Sequence, residues 1–154
     1  MTRILIIGGG GMVGQKLARK IAAEGLGDDP APDVTLYDLG FPPDGAPGRQ
    51  VTGDLAAPGT AEALIADRPD IVYHLAAIVS GEAEADFDKG WRINLFAFWE
   101  FLEALRAAHL ASGGDYVPKV VFTSSIAVFG PPFPDRIGDE FLCAPQTSYG
   151  AQKA

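Results

Sequence analysis

Three side chains near the end of the sequence could carry out proton chemistry together. Tyr149 and Lys153 are four residues apart in "YGAQK", so on a helix they would share one face. The unperturbed pKa of a tyrosine is about 10, and a neighbouring ammonium group lowers that pKa because it favours the phenolate. Ser125 ends an apolar run, and its hydroxyl could bind the same oxygen atom as the phenol. The three residues predict a base that takes the proton of an alcohol, with Ser125 and Tyr149 contacting the substrate.

A Tyr-x-x-x-Lys pair is common by chance and usually lies on a solvated helix face, so the pair alone is weak evidence for catalysis. The glycine-rich segment "GGGGMVG" strengthens it, because it is typical of a dinucleotide site. Gly8, Gly11 and Gly14 follow an apolar run and open a helical stretch. Such a loop turns tightly, lets its backbone approach a pyrophosphate and places the phosphates at the positive end of the helix. The spacing alone is weak evidence, because four consecutive glycines also fit an ordinary strand–helix turn.

Asp38 supplies the acid that a dinucleotide site requires. It ends a second apolar run about 24 residues after Gly14, near the distance at which a carboxylate meets the ribose hydroxyls of NAD. The same carboxylate would repel the 2'-phosphate of NADP, and Leu39 and Gly40 follow it where an arginine would be needed. The alternative is a turn-forming residue at a strand end. The pattern predicts NAD, which would accept a hydride while Tyr149 takes the proton.

The elements that must position these residues alternate between short apolar runs and helical stretches. This alternation is typical of an α/β fold with a doubly wound parallel sheet, here one domain over 1–154. Val13, Leu17 and Ile21 predict the buried face of the first helix, and Thr60 predicts a helix cap. Strands are predicted at 3–8, 33–38, 49–55, 70–77 and 119–125, and helices at 11–25, 60–68, 83–110 and from Thr147 or Ser148.

Composition argues against several classes of partner. The net charge of −8 disfavours binding to nucleic acid or to an anionic membrane surface. Cys143 is the single cysteine, and nothing places His74 beside His109, so no metal site is predicted. The acids between 82 and 88 suit the start of a helix. No apolar run reaches the roughly 18 residues of a membrane span, and a cytoplasmic location is expected.

Five motifs taken together resemble the extended short-chain dehydrogenase/reductase family, of the NAD-dependent epimerase/dehydratase type. They are "GGGGMVG", "GDL", "HLAA", "SSIAVFG" and "YGAQK", in matching order over the whole chain. The resemblance implies a Rossmann fold and a catalytic group of Ser125, Tyr149 and Lys153, with Asn94 beside it. The implied cofactor-binding residues are Gly8, Gly11, Met12, Val13, Gly14, Asp38, Asp54, Leu55, Leu75, Ala76, Ala77, Tyr149 and Lys153.

The resemblance also implies a homodimer. In the family, the helix predicted at 83–110 and the helix that starts at Tyr149 often form the subunit interface. An apolar stripe on the first of these would then contact a second subunit. Packing of the stripe on the sheet is the alternative. The stripe consists of Phe87, Trp91, Leu95, Trp99 and Leu102.

Four further stretches are similar to a family member that oxidises a four-carbon sugar acid at C2, so an NAD-dependent oxidoreductase of a small sugar acid is expected. They are "IIGGGGMVGQKLA", "AAIVSGEAEADFDKG", "VVFTSSIAVFGPPFPD" and "IGDEF". Two alternatives remain: a nucleotide-sugar epimerase or dehydratase that retains NAD, and a non-catalytic NAD-binding sensor or scaffold.

The last helix has only about six residues, and the family's last strand and substrate-binding lobe are absent. The chain is therefore expected to be the N-terminal part of a longer enzyme and to be inactive alone.

Overall fold

The computed structural model describes residues 1–154, which divide into two compact units. The first unit comprises residues 1–76 and 99–122, and the second comprises residues 77–98 and 123–154. The first contains β1 (Arg3–Ile7), α1 (Met12–Glu24), β2 (Asp33–Asp38), β3 (Arg49–Thr52), α2 (Thr60–Ile65), β4 (Ile71–His74) and β5 (Lys119–Phe122). The second contains α3 (Ser80–Ala85), α4 (Phe87–Trp91), a π-helical turn (Arg92–Phe96), a 3-10 turn (Ile126–Val128) and α6 (Ser148–Lys153), while α5 (Ala97–Ala111) lies mostly in the first.

The five strands form one parallel sheet in the order β3-β2-β1-β4-β5. Ile6 of β1 lies opposite Leu36 of β2 and Tyr73 of β4. This order confirms the predicted Rossmann-type fold. The order reverses between β1 and β4, and in such sheets ligands bind outside the carboxyl ends of the strands at that point.

The central strand β1 is a continuous apolar run because both of its faces are covered. Ile4 and Ile6 are almost completely buried and belong to one cluster with Ala18 and Ile21 of α1 and Leu36 of β2. Burial of an isoleucine or leucine side chain contributes about 1.5–3 kcal/mol each. These contacts hold α1 against the strand that precedes it, which fixes the direction in which the intervening loop must turn.

The buried face of α1 differs from the predicted one. Ile21 is buried as expected and Leu17 is half-buried, but Val13 is 55% exposed. The residues that replace Val13 on the buried face are Gly14 and Ala18. Small side chains at these positions allow the helix backbone to approach the sheet closely, and an apolar periodicity alone does not reveal this.

The predicted cap of α2 was also wrong. Gly59 in a left-handed conformation precedes the helix, and Thr60 is its first residue. The Thr60 hydroxyl donates a hydrogen bond to the carbonyl oxygen of Asp54 at 3.1 Å, so its side chain is turned towards the preceding loop and does not cap the helix. The helix ends at Ile65, three residues before the predicted end, and Arg68 has a positive φ of 48°.

The single helix predicted at 83–110 is several elements. It breaks at Asp86, which has a non-helical backbone and whose carboxylate accepts a hydrogen bond from the Lys89 N–H at 3.0 Å. An aspartate that caps a new helix in this way ends the preceding one. The chain then passes through α4 and the π-helical turn into α5. None of the helices has the combination of length and apolar composition that a bilayer span needs.

The stripe predicted along this segment is largely uncovered. Phe87 is 58% exposed, Trp99 50% and Leu102 42%, whereas Trp91 and Leu95 are half-buried. Packing on the sheet therefore does not account for the three exposed residues. The buried residues of α5 are Ala97, Phe101, Ala104 and Leu105, and the Phe101 ring lies 5.9 Å from the ring of His74 on β4.

The third, fourth and fifth strands end about three residues before their predicted ends, at Thr52, His74 and Phe122. At the end of β4 the backbone N–H groups of Leu75 and Ala76 both donate to the carbonyl oxygen of Ile7, at 2.8 and 3.0 Å. The chain therefore leaves the regular strand pairing at this point. The residues at 54, 55, 75, 76 and 77 that are predicted to contact the cofactor therefore follow β3 and β4 and do not belong to them.

Candidate active site

The glycine loop between β1 and α1 has the close backbone contacts that the dinucleotide motif requires. Gly8 has a φ of +89°, and a Cβ atom on it would lie 2.6 Å from the backbone nitrogen of Ala76. The N–H groups of Gly8 and Gly9 both donate to the carbonyl oxygen of Tyr37, at 2.8 and 3.0 Å. Only glycine combines this conformation with this spacing. The loop is thereby held against the ends of β2 and β4.

The start of α1 has the close packing and the free helix end that a pyrophosphate site requires. A Cβ atom on Gly14 would lie 2.8 Å from the Cα of Gly9, so the missing side chain lets the helix approach its own loop. Gly11 precedes the helix without a side-chain cap, and no acidic residue lies in the first turn. No acidic side chain of α1 itself therefore offsets the positive end of the helix dipole. Met12 and Val13 are exposed at this end, and their contact with the cofactor stays a prediction.

Gln15 holds the glycine loop in place through two side-chain hydrogen bonds, and the sequence did not predict this role. Its side chain is 5% exposed. Its amide nitrogen donates to the carbonyl oxygen of Gly9 at 2.6 Å, and its amide oxygen accepts from the N–H of Ala46 at 2.6 Å. The one signal was a polar residue directly after Gly14. Its partner at Ala46 is 31 positions away, so the contact could not be read from local sequence.

Asp38 lies next to the glycine loop. Its carboxylate accepts hydrogen bonds from the N–H of Gly10 at 2.9 Å and from the N–H of Leu39 at 2.7 Å. The acid and the glycine loop are thus neighbours, which is the arrangement that the ribose and pyrophosphate of NAD require. Contact of Asp38 with the ribose hydroxyls stays a prediction.

Asp54 and Leu55, which the family resemblance implies to lie near the adenine of the cofactor, follow β3. The Asp54 carboxylate accepts a hydrogen bond from the N–H of Ala56 at 2.9 Å, and its carbonyl oxygen accepts from the Thr60 hydroxyl. Leu55 is 8% exposed. These contacts form a compact turn between β3 and α2. Contact of Asp54 and Leu55 with adenine stays a prediction.

Three further residues predicted to bind the cofactor, Leu75, Ala76 and Ala77, directly follow β4, the strand that pairs with β1. Leu75 and Ala76 are held by the Ile7 carbonyl oxygen described above, and Ala76 is the neighbour that a side chain on Gly8 would displace. Ala77 is the first residue of the second unit. The backbone of Leu75 and Ala76 is therefore positioned by β1 and the glycine loop.

The proposed catalytic group lies in the second unit. Tyr149 and Lys153 are both on α6, as predicted. Thr147 precedes the helix, and its hydroxyl oxygen accepts a hydrogen bond from the Gly150 N–H at 3.0 Å, which confirms one of the two predicted caps. Tyr149 is half-buried, and Lys153 is only 3% exposed.

Burial changes the acidity of the lysine. It lowers the pKa of Lys153 from 10.5 to about 8, because removal from water disfavours the charged form. The side chain is thus still mainly an ammonium group at neutral pH. Its backbone is held by Ser124, whose hydroxyl donates to the Lys153 carbonyl oxygen at 2.7 Å.

Ser125 directly precedes the 3-10 turn that follows β5, and it caps that turn. Its backbone is extended, and its hydroxyl oxygen accepts a hydrogen bond from the Ala127 N–H at 3.2 Å. Because a serine hydroxyl has one donor position and two acceptor positions, this contact leaves its O–H available for a substrate oxygen. The serine is therefore oriented by its own turn.

A buried amide network links α6 to the π-helical turn. Asn94 is 2% exposed; its side-chain oxygen accepts from the Ile78 N–H at 2.9 Å and its amide nitrogen donates to the Ile78 carbonyl oxygen at 3.1 Å. The same nitrogen donates to the side-chain oxygen of Gln152 at 2.8 Å. π-helical turns often occur at functional sites. The resemblance had implied Asn94 near the catalytic group, whereas Gln152 was missed because nothing in "YGAQK" predicts an inward-facing amide.

Comparison with known proteins identifies the family. Residues 4–154 match the model of the NAD dependent epimerase/dehydratase family, and the chain belongs to this family. The description of the family names NAD, which agrees with the predicted cofactor.

Three known proteins are similar to this chain over nearly its whole length. The D-erythronate dehydrogenase of Cupriavidus necator is 43% identical over 98% of this chain, and that of Haemophilus influenzae is 36% identical over 99%. This chain spans 47% of the length of each of these relatives. The crystal structure of a nucleoside-diphosphate-sugar epimerase from Agrobacterium tumefaciens superposes with a TM-score of 0.89 at 51% identity, over 99% of this chain and 45% of that one.

Proposed function

We propose that the protein is an NAD-dependent oxidoreductase that oxidises a secondary alcohol of a small sugar acid. The specific substrate is D-erythronate, oxidised at C2 to 2-dehydro-D-erythronate. The observation that carries this proposal is the combination of two relatives named D-erythronate dehydrogenase with a tyrosine and a buried lysine on one helix. The proposed place of action is the cytoplasm, whose reducing conditions suit the exposed thiol of Cys143.

Each residue of the group has a role in this reaction. Tyr149 as phenolate takes the proton of the substrate hydroxyl, and Ser125 donates a hydrogen bond to the same oxygen and orients it. Lys153, as an ammonium group, stabilises the phenolate. A bound NAD would supply the acceptor for the hydride of the carbinol carbon, so that the alcohol would become a ketone. Asp38 and the glycine loop hold the ribose and the pyrophosphate.

The direct test is the formation of NADH by the purified full-length protein. With NAD and D-erythronate we expect one NADH and one 2-dehydro product per substrate consumed, followed by absorbance of the reduced cofactor and by mass spectrometry. With NADP in place of NAD we expect little turnover, because Asp38 would repel the 2'-phosphate. A protein that leaves D-erythronate unchanged while converting a nucleotide sugar would contradict the proposal.

A nucleotide-sugar epimerase is the second candidate, favoured by the 51% identity to the nucleoside-diphosphate-sugar epimerase from Agrobacterium tumefaciens. In an epimerase the hydride returns to the product, so no net NADH accumulates. A UDP-sugar mixed with the protein would then change configuration without a change in cofactor absorbance. A non-catalytic NAD sensor would give neither signal, and the presence of both Tyr149 and Lys153 argues against it.

We also propose that the protein is a homodimer through the apolar stripe and α6. Phe87 and Trp99 are at least half exposed although both are large and apolar, and Leu102 and Leu110 of α5 are exposed as well. Exposed apolar side chains that form a contiguous patch commonly mark protein–protein interfaces. A second copy of the chain is the partner that the family resemblance implies.

Trp99→Glu should convert the dimer to a monomer, because it places a charge in the proposed interface. The measurement is the molar mass in solution by light scattering or sedimentation. Val117→Glu is the matched control, since Val117 is an exposed apolar residue outside the stripe. A wild-type protein that is already a monomer, or a dimer that survives Trp99→Glu, would contradict this interface.

A further inference from the structure

One acid of the segment 82–88 is used differently from its neighbours. A side-chain oxygen of Glu84 on α3 accepts a hydrogen bond from the Tyr149 N–H at 2.7 Å and from the Ser148 hydroxyl at 2.9 Å. Glu82 instead pairs with the Lys89 ammonium group, and Asp86 caps α4. The carboxylate of Glu84 therefore reaches the helix that carries the proposed base, across 65 positions of sequence.

The start of α6 requires such partners. The first N–H groups of a helix have no acceptor within the helix. Thr147 supplies an acceptor for Gly150, and Glu84 supplies one for Tyr149. Hydrogen bonds to a carboxylate are stronger than those between neutral groups. The bonds from Tyr149 and Ser148 also lower the pKa of Glu84, so it is charged at neutral pH.

The position of Tyr149 depends on contacts of this kind. Tyr149 is the second residue of α6, so its N–H lies in the first turn, where the helix itself supplies no acceptor. A base must also lie within hydrogen-bond distance of the proton it removes, and a displacement of about 1 Å can lower the rate about 100-fold. A partner at the backbone of Tyr149 acts directly on the residue whose oxygen must be placed.

Direct binding of the substrate by Glu84 is a weaker explanation than a role in holding α6. The proposed substrate is a carboxylate, and a second negative charge would repel it. One oxygen of Glu84 is already committed to two donors on α6.

We propose that Glu84 is a positioning residue for Tyr149: its carboxylate holds the first turn of α6 and thereby places the phenol for proton transfer. This inference rests on the proposed function, in which Tyr149 is the base. It assigns to α3 a role in catalysis through the backbone of α6, with no contact between Glu84 and the reacting atoms.

The test compares Glu84→Ala and Glu84→Gln in the full-length protein, with Glu82→Ala as the matched control from the same helix. Glu84→Ala should lower kcat about 10- to 100-fold, while the KM for D-erythronate and the Kd for NAD change less than about two-fold. Glu84→Gln should keep most of the activity, because its amide oxygen can still accept from the Tyr149 N–H. Glu82→Ala should behave as wild type. An unchanged kcat in Glu84→Ala, or an increase in KM alone, would overturn the inference.

A second measurement separates this inference from the proposed function. Hydrogen exchange of the Tyr149 backbone amide, followed by NMR, should be slow in wild type and in Glu84→Gln and at least about 10-fold faster in Glu84→Ala. This result needs no substrate, so it stands even if wild type forms no NADH from D-erythronate, an outcome that would refute the proposed function alone. Equal exchange in wild type and Glu84→Ala would show that Glu84 does not hold the helix.

Discussion

Replacing Tyr149 with phenylalanine should abolish the formation of NADH from D-erythronate, with kcat reduced at least about 1,000-fold. General acid–base catalysis by a positioned side chain contributes roughly 100- to 10,000-fold, and Tyr149→Phe removes the only side-chain oxygen of this residue that can take the proton. The Kd for NAD should stay within a small factor of wild type, because the glycine loop and Asp38 are untouched. Steady-state kinetics and a cofactor titration of the full-length protein measure both quantities.

A second tyrosine provides the control for the loss of a hydroxyl group as such. The Tyr116 hydroxyl donates to the carbonyl oxygen of Pro69 at 2.9 Å, and burial raises the pKa of Tyr116 to about 12. Tyr116→Phe leaves that buried carbonyl oxygen without its donor and should cost about 1 kcal/mol of unfolding free energy. Its kcat should remain near that of wild type. Substantial turnover by Tyr149→Phe, or an equal loss in both variants, would refute the role of Tyr149 as the base.

Replacing Lys153 with methionine should lower kcat at least about 100-fold and, at neutral pH, make the protein more stable. Activity falls because the phenolate of Tyr149 loses the cation that stabilises it. Stability rises because Lys153 is 3% exposed, and methionine fills a similar volume without a charge that must be kept away from water. The expected gain in unfolding free energy is about 1–3 kcal/mol. Urea unfolding and steady-state kinetics on the same samples measure the two opposite effects.

The pH dependence of stability gives the same prediction an independent check. Burial lowers the pKa of Lys153 to about 8, from the ordinary value of 10.5 that applies to the unfolded chain. Between these values the unfolded state binds more protons than the folded state, so the stability of wild type should rise with pH across this window. Lys153→Met should lack this rise. The unfolding free energies of wild type and Lys153→Met should therefore converge as the pH approaches 10.5. A variant that is much less stable than wild type at neutral pH would show that the ammonium group stabilises the fold.

The order of strands and helices was predictable from local sequence. The apolar run that forms β1 is buried on both faces, so it carries no alternating polar residues that would obscure the strand. The glycines at 8 and 14 were recognisable for a related reason: a loop that approaches another backbone closely excludes a side chain at those positions. The Tyr149–Lys153 pair was also local, since its geometry follows from the helical repeat alone.

The contacts that hold the candidate site required the tertiary structure. Glu84 and Tyr149, Gln15 and Ala46, and Asn94 and Gln152 are each separated by between 31 and 65 positions in the chain. No sequence periodicity connects such residues. The residue type alone also does not show whether an amide is buried, or whether a carboxylate binds the start of a helix or is solvated.

The sequence by itself thus determined the parallel sheet, the glycine loop, its acid and the order of the proposed catalytic residues. Each of these features depends only on the residue types within one short segment of the chain. Only the tertiary structure decided which face of α1 is buried, where the segment 83–110 breaks, how deeply Lys153 is buried and which side chains hold α6. These outcomes depend on competition among distant groups for the same buried space and the same hydrogen-bond partners. That competition takes place only once the chain has folded.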